Sequence, residues 1–569
     1  AAWALLRLRQ IPNELAALKS RTAGLFIIRL AVLSLIWFSI ATAVSIKPSL
    51  SLFGSAWRQF GLVTFISTVA AGVGAAAFLA ADRKRIAFLL RTTVCAGLLD
   101  SVYGIAQYFG FDPLQPGVLY RALDGDAIIV RPPGTLGHAD YFGWWLAIEF
   151  FCCLALARLE QRAWRYASWA SAALTGMAIV LTGTRSAGLA VVAGLLSLPI
   201  TSARRPGRRQ MLAGALAVAA LIGFVLSSGG ERIRARIAWS LHEPPGGARP
   251  VLWRDSLSMA RAKPLFGFGP ETFSSAFLRY ESEDLAHLYP DLHPESPHNV
   301  ALDTLTATGI PGLLLLLAWG WTAVLSVRSA LRAGSPAVPE LAAALVASAV
   351  CSIFSSVVLP PVLLSFFVLG SLVALSQPSH EVRMPIPVYP GKAAVFALSA
   401  CAGMLLICVG AVALADFRLA RFQRNPDAAN YQSFERIRFA SISEDIYCSR
   451  TLANNCPALP GAARIECWNT ALQAAVQATS TADDPANAWY NLAMFTAAQN
   501  DTAGTAAALR KASAIAPEWF KPHWILAKAL SRSGERSLAL HEAQRARSLN
   551  HNRDAEVTRT VSDIEASSR

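Results

Sequence analysis

An all-α, polytopic membrane protein of about eleven transmembrane helices, followed by a soluble α-helical domain, is what three features of the sequence together require. The chain of 569 residues is 54% hydrophobic and only 15% charged, and its mean hydropathy of +0.40 is too apolar for a soluble protein. Apolar runs recur at the length of roughly 20 residues that a helix needs to cross a bilayer. Beyond residue 480 the pattern changes to Ala-rich amphipathic helix with Trp landmarks and no run of that length.

Taken in order, spans are predicted at residues 24–46, 60–81, 86–109, 138–157, 166–183, 185–202, 211–228, 299–327, 340–358, 361–376 and 392–415. The first is longer than a signal-peptide core and lacks a small-residue cleavage site, so it is expected to be retained. Cytoplasmic loops retain Lys and Arg. The basic segments Asp82-Arg83-Lys84-Arg85, Arg158 to Arg165, Arg204 to Arg209 and Arg328 to Arg332 are therefore placed inside with the N-terminus. The same parity puts loops 110–137, 183–187 and 229–298 outside, together with everything after Asp416. Much of the net charge of +14 is this topology signal, and it gives little support to nucleic-acid binding.

Three domains are expected: a membrane domain at 1–416 with a large external loop at 229–298, a helical linker or degenerate repeat at 417–480, and a repeat domain at 481–569. A 34-residue shift maps Leu492-Ala493 onto Leu526-Ala527, Thr505 onto Ala539 and Ala512 onto Ala546, with Pro517 closing the first unit, a pattern that resembles tetratricopeptide repeats. Isolated repeats cannot bury their faces, so 417–480 is expected to stack against them. A plain helical bundle is the alternative. Six cysteines lie in apolar spans as small packing residues. Cys448, Cys456 and Cys467 lie together in the tail, where one disulfide and one leftover thiol are expected, with the pairing open.

The loop between spans seven and eight carries most of the chemistry. Arg249, Trp253, Arg254 and Asp255 precede Lys263-Pro264-Leu265-Phe266-Gly267-Phe268-Gly269-Pro270, and a His and carboxylate cluster then leads to His298-Asn299. Val251, Leu252, Ser256 and Met259 recur at helical spacing, so a short amphipathic helix is predicted to end before Pro264 and to rest its apolar side on lipid or on the other spans. His298 stands at the mouth of a span, where an ionisable group is either functional or an interfacial cap.

The order of Gly134-Thr135-Leu136-Gly137-His138-Ala139-Asp140-Tyr141-Phe142, Thr182-Gly183-Thr184-Arg185-Ser186-Ala187-Gly188, Arg249 before Leu252-Trp253, Pro264 to Pro270, and His298-Asn299 with Gly309 and Gly312 resembles the O-antigen ligase and polymerase superfamily of bacterial inner membranes. The resemblance covers about residues 20 to 415. Where that family's second motif usually has Asn-Pro-Asn, this chain has Gly137-His138-Ala139-Asp140.

The resemblance implies glycan transfer from an undecaprenyl diphosphate-linked donor to an acceptor hydroxyl on the periplasmic face, without cofactor or metal. The acceptor is a second glycan, lipid A core or a protein, which separates ligase, polymerase and protein O-oligosaccharyltransferase. Arg185 and Arg249 carry over as the essential arginines and His298 as the essential histidine, with Asn299 and Trp253 expected beside the substrate. Arg suits a diphosphate because it stays charged and presents a planar fork. A neutral imidazole can accept the acceptor's proton. As solvated charges, Arg185 would snorkel to lipid phosphate and Arg249 would be an ordinary loop residue.

Membrane lipid surrounds the spans, and the repeat array implies a protein partner docked on its concave face. Arg29 and Arg91 are expected to snorkel, whereas Asp100, Glu149 and Asp303 lie deeper and should face a polar cavity or a partner. His287, His293 and His298 with Asp284, Asp291 and Glu295 fit no metal-ligand spacing, and no metal is expected. A non-enzymatic scaffold or transporter for polysaccharide assembly is the reading from another class; transport would favour paired broken helices in inverted repeats, and none is visible.

Overall fold

The computed structural model describes residues 10–55, 58–114, 120–124, 127–202, 219, 222–242, 246–376, 392–437 and 444–568. Helices stand at every predicted span but one, since 211–228 lies mostly outside the described residues. They are α1 (Ile11–Lys19), α2 (Thr22–Ala43), α3 (Pro48–Phe53), α4 (Leu62–Ala81), α5 (Lys84–Phe109), α6 (Ala139–Leu159), α7 (Arg162–Leu181) and α8 (Arg185–Thr201). There follow α9 (Glu231–His242), α10 (Arg249–Ala262), α11 (Glu283–Leu288), α12 (Val300–Arg332), α13 (Val338–Ile353), α14 (Leu359–Leu375) and α15 (Lys392–Arg424). Helix α15 continues past the expected domain boundary at 416. Among the described residues, five helices are long and apolar enough to cross a membrane, and α8, α13 and α14 are shorter apolar helices.

Helix α6 is the centre of the membrane domain. Its most apolar window is 72% buried, against 33% or less in the other long spans, which explains its continuous apolar run on all sides. Trp144, Ile148, Phe151 and Cys152 on α6 pack with Leu341 and Ala344 of α13 and with Val368 and Leu372 of α14. Gly194 of α8 lets Phe151 approach where a Cβ would lie 2.3 Å from its ring. The described chain is otherwise all-α apart from a hairpin in loop 110–137, β1 (Arg121–Asp124) and β2 (Ala127–Val130), in which Arg121 faces Val130. Its two short strands gave no alternating signal against the surrounding loop.

The loops sort to two ends of the bundle. At one end the basic segments are tied to neighbouring helices: Arg85 pairs with Glu14 at 2.9 Å, Arg158 with Glu340 at 2.8 Å, and Arg83 donates to the Ser376 carbonyl at 3.0 Å. Arg91, expected to snorkel, pairs with Glu160. At the other end the loop around α9, the hairpin and the tail meet. Val130, Leu181 and Ile233 share one cluster, Tyr108 donates to Gly229 O at 3.1 Å, and Ser275 donates to Asp483 O at 2.6 Å. The basic loops and the chemistry-bearing loop thus make their contacts with different partners.

The tail is a run of packed helices: α16 (Ala428–Glu435), α17 (Asp445–Asn455), α18 (Gly461–Thr481), α19 (Pro485–Ala498), α20 (Thr502–Ile515), α21 (Phe520–Arg532), α22 (Arg536–Asn550) and α23 (Ala555–Ser568). Small residues at the 34-residue spacing, Ala493, Ala527, Ala512 and Ala546 among them, are fully buried and let neighbouring helices close on one another. Helices α17 and α18 pack as a further pair under α19. Cys456 and Cys467 form a disulfide, and Cys448 is buried beside it in the same core.

Candidate active site

Two glycine-bearing motifs form a seam that fixes the site. Helix α12 breaks at Gly309, whose φ of 70° and ψ of −170° are not helical, within the span and just before Pro311. A break at membrane depth frees backbone groups that lipid cannot satisfy. The loop satisfies them: Phe268 N donates to Thr306 O at 2.8 Å, Gly269 N to Ala307 O at 2.9 Å, and Ile310 N to Pro264 O at 2.8 Å. Trp37 on α2 donates to Thr308 O at 2.8 Å. The approach requires glycine, because a Cβ would lie 2.1 Å from Leu265 O at Gly309 and 2.5 Å from the Ala307 carbonyl carbon at Gly267.

The half-helix Val300–Thr308 is thereby held with His298 and Asn299 at its start. The Asn299 side chain caps it, accepting from Ala301 N at 3.0 Å and Leu302 N at 3.1 Å. His298 has a left-handed φ of 49°, a conformation that costs on the order of 1 kcal/mol and persists only where surroundings impose it. Those surroundings are visible. Its N–H donates to Ser296 Oγ at 3.2 Å, its Nδ1 lies 3.2 Å from Ser356 Oγ, and Trp253 donates from Nε1 to Pro297 O at 2.9 Å. Asn299 and Trp253, expected at the substrate, thus both hold the backbone that aims His298. Burial, and after it the Arg249 charge, push the His298 imidazole down to about 4, so it is neutral at pH 7.

Asp140, in the first turn of α6, gathers the arginines. Arg131, just after β2, pairs with Asp140 Oδ1. Arg249 opens α10 with Nη2 3.6 Å from Asp140 Oδ2, beyond hydrogen-bonding distance, so the carboxylate orients it without saturating its donors. Thr184 donates to Ala139 O at 3.1 Å and to Asp140 Oδ1 at 3.3 Å, and the next residue, Arg185, begins α8 at an exposed position. His138 caps α6 by accepting from Asp140 N at 3.2 Å. The Gly137-His138-Ala139-Asp140 stretch therefore serves as a helix cap and as the anion that arranges two guanidiniums.

A further arginine stands on the membrane side of His298. The Arg58 side chain is 3% exposed and pairs with Glu271 and Asp303, each at 2.8 Å; Ser55 Oγ donates to Glu271 at 2.6 Å. Asp303 so finds the partner its depth required. Below this triad lies a cavity of about 330 Å³ walled by Trp37, Phe65, Leu316, Trp319 and Phe366. Asp100 is bonded to Thr135 at 2.7 Å, and Glu149 to Thr175 at 2.6 Å.

The structure therefore brings together Arg249, His298 and the loop that begins α8. Sequence reasoning missed Arg131, Arg58 and Ser356 and gave Asp140 no role; only the quoted motif containing Asp140 pointed toward any of them. The expected amphipathic helix is α10, ending at Ala262, but its apolar side rests on neither lipid nor the spans alone. Leu252 and Met259 pack with Phe268, Phe273 and Phe277 of the loop and with Ala486, Ala516 and Trp519 of the tail. The three loop histidines disperse: His287 lies against the tilted ring of His551, His293 bonds Asp484, and His298 meets Ser356.

No curated protein matches the chain. Residues 170–317 match the family model described as O-Antigen ligase, a stretch that holds Arg185, Arg249, His298 and the glycine seam. Residues 170–317 of this all-α, multi-pass membrane protein are thus similar to the O-Antigen ligase family.

Proposed function

We propose that the protein is a metal-independent glycosyltransferase that moves a glycan from undecaprenyl diphosphate to an acceptor hydroxyl at the periplasmic face of a bacterial inner membrane. The observation that carries this reading is the assembly of Arg249, Arg131 and the start of α8 around one carboxylate, beside a neutral His298. Two guanidiniums on a single Asp leave net positive charge where a diphosphate would sit.

In the step itself, the acceptor oxygen forms a bond to the anomeric carbon while that carbon's bond to the diphosphate oxygen breaks. The proton from the acceptor passes to His298, and undecaprenyl diphosphate leaves with the electron pair. His298 can be the base if Nδ1 carries hydrogen toward Ser356, leaving Nε2 bare; Ser356 can accept there because it also contacts Ser296 and Tyr141. Arg185 and Arg249 take the growing charge on the leaving group. The apolar cavity beneath Arg58 suits the polyprenyl chain next to the headgroup.

The tail, read as tetratricopeptide-like units from 481 with 417–480 as a degenerate unit, closes over the loop on the same side. The clustering of loop 229–298 with the tail, away from the basic loops, supports a cytoplasmic N-terminus and a periplasmic tail. The test is transfer in proteoliposomes containing purified protein, a lipid-linked glycan and EDTA, with lipid A core, a second lipid-linked glycan or a Ser/Thr peptide as acceptor. Release of undecaprenyl diphosphate with one of the three supports the reading and names the acceptor. No transfer with any of them, from protein that binds donor, returns the chain to the scaffold reading.

A further inference from the structure

Where the tail meets the catalytic loop there is an open groove of about 660 Å³, within the usual size range of ligand sites and outside the chemistry described above. Helices α17, α18, α19 and the start of α21 form its walls, and loop residues Asp291 and His293 close one side. Aromatic rings are its most prominent surface. Trp468 stands 5.2 Å from Phe495, and Tyr490 4.9 Å from Trp519, centroid to centroid.

The charged groups of the groove are largely occupied by one another. Lys521 pairs with Asp291 at 3.0 Å and His293 with Asp484 at 2.6 Å. Arg450 donates from Nε to Asn491 at 3.0 Å and from Nη2 to Asn487 at 2.7 Å, spending two edges of its fork on amide oxygens. A strongly anionic or cationic ligand would meet little uncompensated charge. What remains is ring faces beside amide and guanidinium N–H groups, which complement a ligand with apolar C–H faces and a dense rim of hydroxyls.

We propose that this groove is an oligosaccharide-binding subsite that holds sugar residues distant from the reacting end of the glycan. This rests on the glycosyltransferase reading above. His293 lies five residues before His298, so at about 3.3–3.6 Å per residue the groove wall begins within about 18 Å of the proposed base. A chain reacting at His298 thus reaches the groove after a few sugar units. Binding energy gained there from non-reacting residues would select for chain length without altering the chemical step.

The glycan reaches the groove either as part of the lipid-linked donor or as part of the acceptor. The probe is the oligosaccharide released from the strain's lipid-linked donor by mild acid, titrated calorimetrically into the full-length protein in nanodiscs. Trp468→Ala should weaken its binding tenfold or more, and Asn487→Ala, a smaller change on a half-buried helix face, several-fold. With single-repeat substrates both variants should keep wild-type kcat. With long substrates, a raised KM for the donor alone assigns the groove to the donor, and a raised KM for the acceptor alone assigns it to the acceptor. Oligosaccharide affinity within twofold of wild type in both variants overturns the proposal. So does uptake of a mixture of unstructured decapeptides that the oligosaccharide cannot displace, which would make the groove a protein-docking site. Binding by the His298→Ala variant separates the two readings, since the subsite stands or falls there without turnover.

Discussion

The two arginine clusters that flank His298 use the same side chain to opposite ends. Around Arg58 the carboxylates outnumber the cation: one guanidinium meets two acids, all 8% exposed or less, every partner at 2.8 Å. Around Asp140 one carboxylate serves two guanidiniums, both about 30% exposed, and the Arg249 contact is long. The first arrangement spends both terminal nitrogens of the guanidinium on acids and ties α12 and the loop to the segment before α4. The second is incomplete in the direction of missing anion. A buried pair that is satisfied holds structure, whereas a half-exposed excess of one sign is a place for a ligand.

The comparison breaks first at His298, which faces both clusters. His298→Ala should remove roughly two to four orders of magnitude of turnover while leaving the melting temperature close to wild type. Turnover within a few-fold of wild type, measured at equal folded protein, would remove the base from the mechanism. Arg58→Ala should act the other way, destabilising the fold by about 3–5 kcal/mol because two carboxylates are left buried without a cation. Thermal unfolding in detergent checks this, and an Arg58→Ala protein as stable as wild type would show the triad to be dispensable.

Arg185→Lys sharpens the ligand side of the comparison. If the guanidinium fork binds phosphate oxygens, Lys should lose on the order of 10²-fold in kcat/KM, nearly as much as Ala. Retention of most activity would mean that Arg185 contributes charge without geometry. The pH profile is a milder test. A histidine at its ordinary value would lose its basic form below about 6.5; His298, depressed to about 4, should keep activity level through pH 5 and lose it only toward 4. The cost appears in stability instead, since the unfolded chain takes up the proton first as pH falls below about 6.5.

The smallest expected effect is at the junction of loop and tail. Burial pushes His293 down, but the hydrogen bond and charge of Asp484 prevail and raise it above its ordinary value. Its contribution is therefore present below about pH 6.5 and is lost as pH rises through the raised value. His293→Gln should cost about 1 kcal/mol, and limited proteolysis of the loop should become faster in wild type, but not in the variant, between about pH 6 and pH 9.

Much of this was legible in the chain because membrane spans announce themselves by apolar length, and α10 by its Leu252, Ser256 and Met259 spacing. Arg185, Arg249 and His298 were found through motif order, which no physical rule about spacing would have supplied. Arg58 and Arg131 escaped because each looks like a solvated loop charge until its partner, on an element distant in the chain, is known. The glycine motifs were seen but not understood. Gly267 and Gly309 lie on separate elements, and their need for close backbone approach exists only after the loop folds onto α12. The tail's contact with α10 was invisible for a similar reason, since an amphipathic face does not say what covers it.

The interruption at Gly309 does more than admit the loop. It turns one long helix into two dipoles, and the first of them, Val300–Thr308, points its positive end at His298 and the anion-poor side of Asp140. The first N–H groups of that segment are met in part by Asn299, and the field they leave adds to Arg249 in opposing a proton on the imidazole while favouring a diphosphate. Each such contribution is worth roughly 0.3–1 kcal/mol at an exposed end and up to about 2 when partly buried. An uninterrupted α12 would present the same side chains, but on a helix start no longer braced by the loop. Part of the positive potential that this site offers to phosphate therefore belongs to no side chain, and no arginine substitution will remove it.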